Sequence, residues 1–218
     1  MKLRRSLPLL AAFALTVGIT GCGDESSERD RNVDGGLTCA QGGPCDIGDI
    51  GPGGGIIFST PADGGALLEA APVNGVASWG CGTSALITTT GEGTGATDSA
   101  TVAGCNDPAP VTAAKLAESF AYAGATDWYL PSISELKSLY KHRDKFDCGD
   151  DGNCTTVLAE GDYWSSTADA TDPAAARYMS FVDGTENSDE RASVYYVRPV
   201  RAIVQATAPP TTTPATTT

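Results

Sequence analysis

Apolar residues along this chain come in short runs, and the spacing inside each run predicts the element it forms. GIIFS, residues 55 to 59, is rich in β-formers; ADGG follows as a turn and ALLEAAP returns, so the stretch predicts a hairpin. In VTAAKLAESFAYAG, residues 111 to 124, Ala113, Leu116, Ala117 and Phe120 share one helical face. Thr112 is placed to cap the start of that helix and Gly124 suits its exit. DWYLPSISELKSLY, residues 127 to 140, predicts three things in a row. Trp128, Tyr129 and Leu130 form a short extended run, and Pro131 keeps Leu130 out of a helix. Ser132 and Glu135 then make a capping box, and Ile133, Leu136, Leu139 and Tyr140 line one face of the following helix. DYWSST, ARYMSFVDG and VYYVRPVRAIV are three further β-rich runs. The pattern predicts a single α+β domain with two helices among short antiparallel strands and long loops.

Between these runs, Trp79 to Asp107 is rich in Gly, Thr and Ser and predicts a long, loop-dominated excursion. Two flanking segments show no periodicity. Residues 22–36 read as a flexible acidic tether, and residues 205–218 as a Thr/Pro-rich disordered tail. The globular part is residues 37–204.

Residues 1–21 have the pattern of a signal peptide: a basic MKLRR followed by LPLLAAFALTVGI, an apolar run short for a membrane span. The run ends in ITGC, a lipobox that makes Cys22 the expected lipidation site. The implied location is the bacterial cell envelope, with the exported domain tied to a membrane by acyl chains. Gly23 after the cysteine is compatible with sorting to an outer membrane or the cell surface.

Charge narrows the partners. The chain has 14 basic and 27 acidic residues. Removing residues 1–21 takes away Lys2, Arg4 and Arg5 and no acid, leaving a formal charge of −16. Such a body is repelled by nucleic acid and by sulfated polysaccharide.

Seven cysteines are present, and assigning Cys22 to lipid leaves six. In an exported chain six cysteines predict disulfides, and the short spacings favour Cys39–Cys45 and Cys148–Cys154, leaving Cys81–Cys105. A structural zinc site would want CxxC pairs, which are absent, and His142 is the only histidine.

Candidate chemistry is sparse. A Ser-His-acid triad would have to use His142, whose place in KHRDKFD suits the exposed end of a helix. Paired carboxylates for glycoside hydrolysis arise by chance among so many acids, and no spacing singles one pair out. No cofactor is implied. Calcium is the one metal to weigh: Asp147, Asp150, Asp151 and Asn153 surround the cysteine-bounded loop CGDDGNC. The EF-hand pattern fails there at Gly149 and Leu158, and a solvated turn is preferred. Trp128 and Trp164 read as core anchors, whereas Trp79, in the Gly-rich SWGCG, is the tryptophan expected at the surface. With Asn106 and Asp107 it forms the candidate ligand-binding set. Arg198 and Arg201 are expected to pair with acids such as Asp127 or Glu135.

The order GPGGGIIF, LLEAAP, GEGTGATDSA, DWYLPSISELKSLY, YWSST and VRPVRAI, from about residue 48 to 204, resembles the Lcl C-terminal domain family. The resemblance implies a variant of the formylglycine-generating, sulfatase-modifying fold, itself C-type-lectin-like, stapled here by disulfides. Members are commonly exported or lipid-anchored, and the adhesin that names the family is linked to glycosaminoglycan binding. This chain lacks a collagen-like repeat and the reactive cysteine pair of the sulfatase-modifying enzymes, and its charge opposes a sulfated ligand. The expectation is therefore a non-enzymatic binding or adhesion module for glycan or protein. A structural envelope lipoprotein, or an enzyme acting on envelope sugars, stands as the alternative.

Overall fold

The computed structural model describes residues 37–84, 88, 91, 93–105, 107, 111–146 and 156–204. These form an α+β domain with two sheets. The predicted hairpin is present: β1 (Ile56–Ser59) pairs antiparallel with β2 (Leu68–Ala70). Its third strand comes from the far end of the chain, where β8 (Val200–Ala202) lies against β2 to give the order β1-β2-β8.

The larger sheet has the order β3-β7-β4-β5-β6. It is built from β3 (Gly75–Ser78), β4 (Asp162–Ala168), β5 (Ala175–Ser180), β6 (Glu186–Glu190) and β7 (Val194–Val197). All its pairings are antiparallel except β4 with β7, which run parallel and share the register pair Tyr163 and Tyr196. β6, with the sequence ENSDE, escaped the apolar pattern because it carries no apolar residue. Charged side chains suit it to an outer edge, where they discourage pairing with another chain.

There are three α-helices among the described residues, not two. The additional one, α1 (Gly95–Ala103), lies inside the supposed loop excursion. Its sequence GATDSATVA has a single large apolar residue, Val102, so it gives almost no helical hydrophobic signal. The helix α2 (Ala113–Ser119) is shorter than its periodicity suggests. Phe120 leaves the helix in extended conformation and turns its ring edge-on to Trp128, with centroids 5.4 Å apart. Thr112 sits at the N-cap without a side-chain cap bond, and Gly124 serves instead a turn at φ +83° that Tyr122 and Ala125 close.

The third helix, α3 (Ile133–Lys141), starts as its sequence specifies. The Glu135 backbone N–H donates to Ser132 Oγ at 3.2 Å, and the Ser132 N–H donates to Glu135 Oε2 at 2.7 Å. The strand before it pairs through Tyr129 with Val200, so the run from Trp128 to Leu130 reaches β8.

Two cores result. Ile133, Leu136 and Leu139 of α3 pack with Tyr163, Met179 and Phe181 of the large sheet and with Ile56, Phe58 and Leu68 of the small one. On the other side of the large sheet, Trp79, Val102, Ala113, Ala114, Ala117 and Leu130 pack with Trp164, Ala176 and Val197. Alternation along β4 makes this division, since Tyr163 and Trp164 must point to opposite faces. Disulfides Cys39–Cys45 and Cys81–Cys105 close among the described residues; the expected Cys148–Cys154 lies outside them. No described helix is long and apolar enough to cross a membrane.

Candidate ligand-binding face

Trp79 is not at the surface. It is 0 % exposed, with its indole N–H donating to the Ser165 carbonyl at 2.7 Å. The Arg191 guanidinium lies 4.4 Å from the ring centroid and donates to the carbonyls of Ala175, Gly82 and Ser84. The Gly-rich context that suggested a mobile loop has another function. Gly80 at φ +91° and Cys81 at φ +67° turn the chain sharply after Trp79, and the bond to Cys105 holds that turn. A tight turn and an anchored indole thus replace the exposed aromatic loop, which corrects the ligand-binding assignment of Trp79.

Other described residues of the excursion dock as well. Gly95, the first residue of α1, sits against the capping box of α3 and donates its N–H to Glu135 Oε1 at 3.4 Å. A Cβ there would lie 2.7 Å from the Tyr129 ring and 2.8 Å from the Ser132 backbone nitrogen. Ser132 Oγ donates to the Gly91 carbonyl at 2.9 Å, and Ser99 Oγ accepts from the Leu130 N–H at 3.1 Å. Glycine and serine are frequent in this segment because backbone and helix approach one another closely.

Asp107 is half-buried beside Cys105, with its backbone N–H on the Cys105 carbonyl. Asn106, the calcium candidates Asp147, Asp150, Asp151 and Asn153, and the lipidation site Cys22 lie outside the described residues. Among the described residues no group of three His, Cys, Asp or Glu side chains is placed to hold a metal ion.

The other singled-out residues are structural. Trp128, Tyr129, Tyr163 and Trp164 are buried, and burial pushes the Tyr163 hydroxyl up to about 12. His142 ends α3 with Nδ1 at 2.8 Å from the Phe58 carbonyl. Arg201 pairs with Asp127, as expected, through Nε and Nη2, and also with the fully buried Glu69. Glu69 in turn accepts the N–H groups of Gly53 and Gly55, so the GPGGG turn wraps a carboxylate. Arg198 takes no carboxylate among the described residues. It is buried, donates to Asn74 Oδ1 and the Thr156 carbonyl, and has its pKa lowered to about 10 by burial.

One part of the large sheet remains open. Tyr178 of β5 and Tyr195 of β7 flank Trp164 of β4 on the same face, with centroids 6.0 and 4.6 Å from it and 4.8 Å from each other. Both rings pack against the cluster that α1 and α2 form with Trp164, and they stay half-buried. The Tyr195 hydroxyl donates to Asp189 Oδ2 at 2.6 Å. Burial and that carboxylate both push the Tyr195 hydroxyl pKa up, so it stays a donor.

Beside Tyr195 is a cleft of about 260 Å³ lined by Val76, Asp162, Val194, Tyr195 and Tyr196. It opens where β7 runs past the start of β4, so rings from both faces of the sheet reach it. Val76 and Val194 are 59 % and 63 % exposed. Aromatic walls, aliphatic rims and the Asp162 carboxylate make a surface that can bind. Sequence reasoning missed this set. Its signal was the doublet Tyr195-Tyr196, which in a strand must send one ring to each face.

The sequence pattern of the Lcl C-terminal domain matches residues 79–201, more than half of the chain. Comparison with curated proteins finds no match. The match runs from the buried Trp79 to the paired Arg201, taking in the large sheet after β3, all three helices and the start of β8; the β1–β2 hairpin precedes it. The chain belongs to the Lcl C-terminal domain family.

Proposed function

We propose that this protein is a lipid-anchored domain of the bacterial cell envelope that binds a glycan or protein partner without catalysing a reaction. The observation that carries this reading is the open aromatic patch of Tyr178 and Tyr195 over Trp164, next to an apolar-rimmed cleft. These two rings stay half-buried beside the fully buried Trp164, and clustered surface aromatics favour recognition. The binding face is therefore the sheet end around Tyr195, and not the excursion from Trp79 to Asp107.

The finer fold assignment, C-type-lectin-like, belongs to the same reading. Its support is the frame in which β1, β2 and β8 join early and late parts of the chain while a helical excursion leaves and returns. Attachment rests on Cys22 and the apolar run before it.

Glycan and surface-protein arrays probed with the chain and with Tyr178→Ala test the binding role. Expected is a bound ligand whose signal falls in the variant. An absence of ligands, together with a deletion that alters only envelope integrity, would favour a spacer lipoprotein instead. A Cys22→Ala chain should leave the membrane fraction; retention there would refute the anchor.

A further inference from the structure

The surface-binding reading leaves the ligand's chemistry open, and the cleft beside Tyr195 narrows it. The geometry points to a lysine or arginine side chain, presented on a basic segment of a partner protein, as the group this cleft receives. The inference rests on the binding function proposed above and names its ligand class.

Three features converge. First, the cleft carries carboxylate charge that no cation among the described residues offsets, whereas several acids elsewhere are paired. Glu69 and Asp127 are paired with Arg201, Glu186 with Lys137 and Arg177, and Asp144 with Lys145. Asp162 and Asp189 are half-buried, and among the described residues neither forms an ion pair. Asp162 lines the cleft, and Asp189 is held at its rim by the Tyr195 hydroxyl. Burial raises the pKa of the Tyr178 and Tyr195 hydroxyls, and both carboxylates add to that rise.

Second, the walls are aromatic rings, whose faces carry partial negative charge and attract ammonium and guanidinium groups. Third, the cleft combines this polar end with exposed Val76 and Val194. A lysine or arginine has the matching division, an aliphatic stem to lie on the valines and a cationic head to reach Asp162 and the rings. A chain with formal charge −13 also steers basic partners toward itself. A neutral sugar would gain from the rings but would leave the Asp162 charge uncompensated.

The test titrates the full chain with a lysine-rich octapeptide, following tryptophan fluorescence because Trp164 packs on both tyrosines. Parallel titrations use the same peptide with acetylated lysines and a neutral oligosaccharide. The octapeptide should bind, and acetylation should abolish binding. Asp162→Asn, nearly isosteric, should weaken binding about tenfold, as should Tyr178→Ala. Asp144→Asn, which removes an acid outside the cleft, should leave it unchanged. Near-UV circular dichroism confirms that each variant is folded, and Asp162→Asn keeps the test decisive if Tyr178→Ala is not. Equal losses from Asp162→Asn and Asp144→Asn would mean diffuse charge attraction and would overturn the inference. Equal binding of the acetylated peptide would do the same. Binding of the neutral sugar in place of the peptide would overturn the cationic ligand while leaving the surface-binding function intact. Silence with both probes and on the arrays would remove both.

Discussion

Trp79 and Tyr195 pack on the same side of the large sheet, yet one is sealed and the other is half open. Trp79 has α1, α2 and Arg191 around it and a satisfied indole N–H. Tyr195 has Trp164 and Tyr178 on the protein side and a cleft on the other. The difference comes from where the excursion lands. Its helix, disulfide and close-packed glycines bring it down over Trp79, while Tyr178 and Tyr195 on the same face stay half-buried. In this domain the loop-like sequence serves the core, while the well-formed strands carry the half-open aromatic face.

The sharpest way to break this comparison is to truncate both aromatics. Trp79→Ala should cost about 3–5 kcal/mol, because it empties a fully buried site and strips Arg191 of its ring. Tyr178→Ala, at a half-buried position, should cost about 1 kcal/mol. Denaturant midpoints measure both, and similar losses would mean the two halves are equally structural.

Next in size is the tie that holds the excursion. Replacing Cys81 and Cys105 with serine releases a link with a sequence separation of 24 and should cost about 3 kcal/mol. Thermal melts of the double variant should show that loss with the remaining disulfide intact, and an unchanged midpoint would mean that packing alone seats the excursion. Gly95→Ala comes third. Its Cβ would crowd the Tyr129 ring and the Ser132 backbone, for a loss of about 1–3 kcal/mol. Alanine is otherwise the better helix residue, so a stabilised variant would show that α1 does not press on the α3 cap.

The smallest effect is electrostatic and lies away from both halves. The hydrogen bond from Arg201 holds the Asp127 carboxyl below its ordinary pKa, against opposing desolvation. A depressed folded pKa stabilises the domain above the unfolded value, near 4, and the benefit fades as pH falls through the folded value. The Asp127 side chain is 59 % exposed, so Asp127→Asn should lose less than about 1 kcal/mol at neutral pH. Stability measured from pH 7 down to pH 2 should show the two proteins converging in acid. A gap that widens in acid would contradict the Arg201 pairing.

How far the sequence could be read depended on whether the signal was local. The capping box of Ser132 and Glu135, the β1–β2 hairpin and the core positions of Trp128 and Trp164 are encoded within a few residues, and each was legible. The helix α1 was not, because it packs through small residues and a backbone contact instead of an apolar stripe. Trp79 was misplaced for a related reason. Glycines beside it suggested a loose loop, whereas they permit a tight turn above a buried ring. The aromatic face was hidden by distance, since Tyr178, Tyr195, Asp162 and Asp189 become neighbours only when β4, β5, β6 and β7 pair. The lipobox pattern, by contrast, is linear and needs no fold to be read.

The position of β8 has a consequence for the timing of folding. A chain synthesised from its N-terminus makes Leu68–Ala70 long before Val200–Ala202, the strand that pairs with it. A two-stranded hairpin is marginal alone, so the smaller sheet and the Arg201 clamp on Glu69 must wait for residues 200–202. Contacts this distant in sequence place the domain among the slower folders. Until Val200–Ala202 is made, the polypeptide lacks the strand that closes its smaller sheet, so every earlier contact of that sheet must form on an incomplete frame.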